Sequence, residues 1–241
     1  MTTLVVGASG ATGKMLVAQL LNLGQNVRVI VRSSSKIPDT WDNNDKVSII
    51  KGNISDISVE EMAKHTKGCQ GIASCLGHNL TLTGIFGKPG KLVTDAVELL
   101  YAAIKKNSPD RPVRFVLMNT AGNRNRDLDE PVSVGQNLVM SLIRLLVPPQ
   151  SDNEKAADFL RLSVGRTNPS IEWVAVRPDT LIDQDTVTEY ALYVSPTRSA
   201  LFNPGKTSRV NVAHFMAKLM AETDLWDQWK GQMPVIYNKV D

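Results

Sequence analysis

Leu4-Val5-Val6-Gly7-Ala8-Ser9-Gly10-Ala11-Thr12-Gly13 is an apolar strand that runs into a turn with glycines at positions 7, 10 and 13. Helix formers follow at once, from Lys14 to Leu21. Glycine accepts positive φ at a tight turn, and its missing Cβ lets backbone N–H groups approach a ligand closely. The N-terminus of the following helix adds unpaired donors and a partial positive charge. This order of parts suits the pyrophosphate of a dinucleotide, with Gly7, Ser9, Gly10, Ala11, Thr12 and Gly13 as contact residues. The alternative is an ordinary glycine-rich strand-to-helix turn.

From this turn the chain alternates strand-like and helix-like patterns. Strands are expected at 3–7, 27–32, 47–51, 71–76, 113–119, 172–177 and 233–237, and helices at 11–23, 58–66, 91–106, 134–146, 152–166 and 210–222. Leu92, Val93, Ala96, Val97, Leu99, Leu100, Ala103 and Ile104 form one helical stripe. The strands are nearly all apolar, which suits a parallel sheet covered on both faces. The βαβα order predicts an α/β fold of Rossmann type, a doubly wound parallel sheet with right-handed crossovers. Residues 1–241 are expected to form one domain. Insertions at about 78–90 and 179–209 would make a small C-terminal substrate lobe.

Bulk properties narrow the function. Hydrophobic residues make up 42% and charged residues 21%, which fits a globular chain with a full core. A net charge of +3 without a run of basic residues gives no ground for nucleic-acid binding. No apolar run is long enough for a membrane span, and no secretory signal opens the chain, so a cytoplasmic location is expected. Cys69 and Cys75 read as reduced core thiols. No cluster of His, Cys, Asp and Glu has metal-ligand spacing.

The second strand ends in Arg32, followed by Ser33, Ser34, Ser35 and Lys36. An acid at this position would accept ribose hydroxyls and repel a 2′-phosphate, whereas a guanidinium offers that phosphate forked donors. The expected cofactor is therefore NADP(H), with Arg32 and Ser33 as determinants; a surface arginine paired to an acid is the alternative. Asn53 or Asp56 is placed at the adenine amino group and Ile54 on its face, with Asp56 equally readable as a helix N-cap. Cys75, Leu76, Gly77 and His78 should lie against the ribose.

Gly7 to Gly13, Val31-Arg32-Ser33, Gly52-Asn53-Ile54-Ser55-Asp56, Asn119-Thr120-Ala121-Gly122, Val176-Arg177-Pro178 and Ser208-Arg209-Val210-Asn211-Val212-Ala213 together resemble the atypical short-chain dehydrogenases/reductases. The nearest groups there are NmrA-like proteins and flavin or biliverdin reductase-like proteins. The resemblance spans nearly the whole chain. It implies an NAD(P)-binding oxidoreductase with Asn119, Thr120 and Pro178 at the nicotinamide end and Lys155 on the nicotinamide ribose. One departure matters. The superfamily's Tyr, four residues before the Lys, is replaced by Ser151. A serine hydroxyl is too weak an acid to protonate an alkoxide, so ordinary ketone reduction is not expected.

Hydride transfer to a conjugated small-molecule acceptor (a flavin, quinone, enone or linear tetrapyrrole) needs no such acid. Thr120, Ser151 and Lys155 are the candidate catalytic residues, Thr120 and Ser151 as hydrogen-bond partners of the acceptor. Strand-end bonding explains Thr120 and Asn119 equally well. A non-catalytic redox sensor of NmrA-like type is the second reading, and a sugar-nucleotide epimerase-like enzyme ranks last. His78 is a candidate proton relay or a plain surface residue, and Asp179 an acid or a loop start. The apolar segment from Leu138 to Pro149 reads as a buried helix, a pocket wall or a homodimer contact.

Overall fold

The computed structural model describes residues 1–78, 90–128, 130 and 148–239. The helix expected at 134–146, the apolar run from Leu138 to Val147 and most of the insertion expected at 78–90 lie outside the described residues. In chain order the elements are β1 (Thr2–Val6), α1 (Ala11–Asn22), β2 (Asn26–Val31), α2 (Asp39–Asp42), β3 (Val47–Lys51), α3 (Val59–Thr66), β4 (Gly71–Ser74) and α4 (Leu92–Asn107). Then come β5 (Val113–Met118), α5 (Pro148–Asp158), β6 (Ile171–Pro178), β7 (Thr180–Ile182), β8 (Tyr190–Tyr193), β9 (Lys206–Ser208), α6 (Arg209–Ala221), α7 (Thr223–Trp229) and β10 (Val235–Asn238).

Eight strands form one sheet in the order β3-β2-β1-β4-β5-β6-β10-β8. Every neighbouring pair is parallel except β10 with β8. The order reverses beside β1, between β2 and β4, and this is the edge at which a doubly wound sheet opens a crevice. Alternate strand residues go to opposite layers. Leu4, Val6, Phe115 and Leu117 join the layer of α3, α4 and α5, built on Met62, Leu100 and Leu160. Val5, Val29 and Val116 join the layer of α1, α6 and α7, built on Leu16, Phe215 and Trp226. Burial on both faces explains why these strands read as unbroken apolar runs.

The structure departs from the sequence reading in several places. Residues 179–209 hold three short strands instead of an irregular loop: β7 and β9 pair with each other, and β8 extends the main sheet. Strands of three or four residues are too short to display a period. β6 extends one residue beyond each end of the strand expected at 172–177, so Pro178 ends the strand and does not follow it. The N-cap of α3 is Ser58, whose hydroxyl accepts from Glu61 N, so Asp56 does not cap that helix. The helix expected at 152–166 starts at Pro148 and ends in a π-helical turn, Phe159–Val164. Among the described residues, no helix is long and apolar enough to cross a membrane.

Candidate functional site

The β1–α1 turn is built by contact with the exit of β4. Gly7 has φ +74°, and a Cβ there would lie 2.5 Å from the Cys75 carbonyl carbon and 2.7 Å from Leu76 N. A Cβ on Gly13 would strike the Gly7 carbonyl oxygen. Both positions therefore require glycine, one for backbone conformation and space, the other for space alone. Gly10 is the N-cap of α1, brings no capping side chain, and no acid occupies the first turn. The first N–H groups of α1 thus lack an intrahelical partner and a competing carboxylate. That donor set, at a helix N-terminus on the carboxyl edge of the sheet, fits a diphosphate.

At the exit of β2, Arg32, Ser33 and Ser34 are exposed. Ser35 N donates to the Arg32 carbonyl (2.9 Å). Ser9 Oγ donates to Ser35 Oγ (3.2 Å), tethering this loop to the glycine turn. At the exit of β3, Asn53 Nδ2 donates to Asp56 Oδ2 (3.2 Å), and Ile54 is buried. The Cys75 thiol is buried and pushed up to about 12 by that burial.

The exits of β4 and β5 carry a polar network. Asn119 Nδ2 donates to the Asn153 carbonyl (2.9 Å), while its Oδ1 accepts from Thr120 N (2.8 Å) and Asn123 Nδ2 (3.2 Å). Thr120 Oγ1 accepts from Gly122 N (3.2 Å). Both side chains thus shape their own turn, the strand-end role weighed from the sequence. Asp152 is buried, and its carboxylate accepts from Val93 N (2.8 Å), Thr94 N (3.0 Å), Thr94 Oγ1 (2.6 Å) and His78 Nε2 (2.7 Å).

Lys155 lies elsewhere. It is exposed and lines an outer groove between α4 and α5, with Asp95, Glu98, Asp158 and Leu162. Ser151, one helical turn earlier, falls on the same stripe. The opposite stripe, through Pro149, Asn153, Ala157 and Leu160, meets the strand ends and the core. Lys155, expected at the nicotinamide ribose, faces this groove because the face a helix turns inward follows from packing, which the local sequence does not encode.

Beyond β6, Pro178 O accepts from Ala121 N (2.8 Å). Asp179 accepts from Gly205 N (2.9 Å) and Thr180 N (2.8 Å), so it pins the lobe's return to β7; burial pushes its carboxyl up. Arg177 is fully buried and pairs with Glu130 (2.7 Å) under this loop.

Asp152 and Glu130 carried no signal in the sequence. Each meets its partner across a large separation, 74 positions for His78 with Asp152 and 47 for Arg177 with Glu130. His78 was legible as a candidate proton relay or surface residue beyond β4, but its buried carboxylate partner was not.

Comparison with known proteins follows the same lines. Among solved structures, the chain is similar to a short-chain dehydrogenase/reductase from Veillonella parvula in complex with NADP (TM-score 0.70, 14% identity, covering 98% of this chain and 94% of that one). It is similar to the oxidoreductase ylbE of Lactococcus lactis (TM-score 0.69, 17% identity, 99% and 91% covered). A provisionally named NADH-flavin reductase from Streptococcus pneumoniae gives TM-score 0.65 at 19% identity, with 99% and 100% covered. At these identities the likeness is one of fold. No curated protein matches the sequence. The NAD(P)H-binding family profile matches residues 7–223, from the first glycine of the turn to the start of α7. With the glycine turn, the strand order and this match in agreement, the chain belongs to the NAD(P)H-binding family.

Proposed function

We propose that this protein is an NADPH-dependent oxidoreductase that passes hydride to a conjugated acceptor of flavin, quinone or enone type. The observation that supports the NADPH preference is the Ser9–Ser35 bond, which ties the loop carrying Arg32 and Ser33 to the glycine turn. In a doubly wound site the adenine ribose runs past this point. A guanidinium there forks onto a 2′-phosphate, and the neighbouring hydroxyls add donors.

In this reading Gly7, Ser9, Gly10, Ala11, Thr12 and Gly13 hold the diphosphate. Asn53 and Ile54 border the adenine, and Cys75, Leu76 and Gly77 border the ribose. Asn119, Thr120 and Pro178 border the nicotinamide end, where the Thr120 hydroxyl, accepting from Gly122 N, can donate a hydrogen bond to orient the acceptor. When bound, the reduced nicotinamide supplies the hydride. With neither Tyr nor Lys on the inner stripe of α5, an acceptor that delocalises negative charge suits the site better than a simple ketone.

Calorimetric titration tests the cofactor assignment. The wild type is expected to bind NADPH more tightly than NADH by about 2 kcal/mol, the scale of hydrogen bonds to charged groups, and Arg32→Ala to erase that difference. Arg32→Ala binding both as the wild type does would remove the assignment. NADPH oxidation with FMN or a small quinone tests the acceptor class. The outward position of Lys155 also favours a second reading, a redox sensor that binds the dinucleotide without turnover. Tight NADPH binding with no oxidation across a broad acceptor panel would select it.

A further inference from the structure

We infer that His78 is the group that hands a proton to the acceptor, and that Asp152 is the residue that positions it. The inference rests on the reductase reading above and adds to it the proton that the hydride must be matched with.

The dyad sits on the carboxyl edge between β4 and β5. His78 lies three positions beyond Cys75, the residue against which Gly7 packs. Asn153, next to Asp152, is tied to Asn119 at the end of β5. The His78 and Asp152 side chains are 5% and 1% exposed, with Nε2 and Oδ2 2.7 Å apart. The Asp152 carboxylate closes the first turn of α4 by accepting from Val93 N, Thr94 N and Thr94 Oγ1. The carboxylate gives its remaining place to an imidazole. A carboxylate on Nε2 fixes the hydrogen there, which leaves Nδ1 as the nitrogen that exchanges a proton. The amides of Asn119 and Asn153 and the alcohol of Thr120 do not carry and return a proton in this way.

The step balances as follows. The acceptor's conjugated system receives hydride at one end from the reduced nicotinamide. At the other end an O–H or N–H bond forms as the Nδ1–H bond of the His78 imidazolium breaks. The ring keeps its Nε2–H on Asp152 and regains the Nδ1 proton from water. The acceptor gains two electrons and two hydrogens, and NADPH becomes NADP+.

The chain has three histidines, so imidazole ¹⁵N spectra resolve His78 directly, with His78→Gln assigning its signals. NADP+ should shift both ring nitrogens of His78. Its fragment without nicotinamide, 2′-phospho-ADP-ribose, should shift the Gly7–Gly13 amides and leave the ring unmoved. His78→Gln should lower turnover about 100-fold with NADPH affinity retained, the usual scale for a general acid. Asp152→Asn should change which His78 nitrogen bears the proton, a signature that a purely structural pin would not connect to turnover. If NADP+ moves the glycine amides but not the His78 ring, or if His78→Gln turns over at the wild-type rate, this inference is overturned and the cofactor assignment stands. If NADP+ leaves the glycine amides unmoved as well, the reductase reading itself fails and this inference with it.

Discussion

Gly13 has the Gly7 carbonyl oxygen where a Cβ would go, so Gly13→Ala must push the turn open. Overpacking of this kind costs about 1–3 kcal/mol, and the displaced amides would no longer converge on a diphosphate. Gly13→Ala should therefore lower the melting temperature and weaken NADPH binding at least about tenfold in calorimetry, since each 1.4 kcal/mol is a factor of ten. Cys75 gives a second test at the level of one side chain. Its thiol is buried and pushed up to about 12, so its thiolate fraction at pH 8 is roughly one in ten thousand. Iodoacetamide should leave Cys75 unlabelled in the folded protein and label it after denaturation, as read by mass spectrometry. The glycines were legible because each imposes a local backbone requirement. Lys155 was not, because the face a helical residue presents depends on what its helix packs against.

Helix α4 illustrates how elements borrow from one another. Its own N-cap, Lys91, makes no side-chain capping bond. Asp152, on α5, accepts from Val93 N and Thr94 N instead, so two helices share one closure. Asp152→Ala would leave those buried donors without their acceptor and should cost roughly 3 kcal/mol in urea unfolding, within the usual penalty for stranded polar groups. Asp152→Asn, which keeps an acceptor oxygen, should cost less. The helical stripe of α4 was readable from spacing alone, but its cap was not, since the capping residue lies 58 positions away. The same contrast holds in the lobe. β6 was readable as an apolar run, whereas β7, β8 and β9 have three or four residues each and exist through their pairing.

Across the fold, Arg177 links parts that the chain order keeps far apart. Its Nε donates to the Met233 carbonyl (2.6 Å), and its terminal nitrogens reach the Asn123 carbonyl (2.8 Å), the Val194 carbonyl (3.1 Å) and both oxygens of Glu130. The β5 exit, the lobe and the approach to β10 are thereby held on one guanidinium. Removing one member of a buried ion pair strands the other, so Arg177→Met should destabilise by about 3–5 kcal/mol. Adding Glu130→Leu should recover part of that loss, and a double-mutant cycle in denaturant measures the coupling. From the chain alone one reads the glycine turn, the doubly wound parallel sheet and the family, because turns, hydrophobic periods and the alternation of strand with helix are local properties that neighbouring residues enforce. The His78–Asp152 dyad, the Arg177–Glu130 pair, the short strands of the lobe and the outward turn of Lys155 arise from packing between distant segments. Their partners are chosen by where the sheet and helices bring them together, and no single stretch of the chain carries that information.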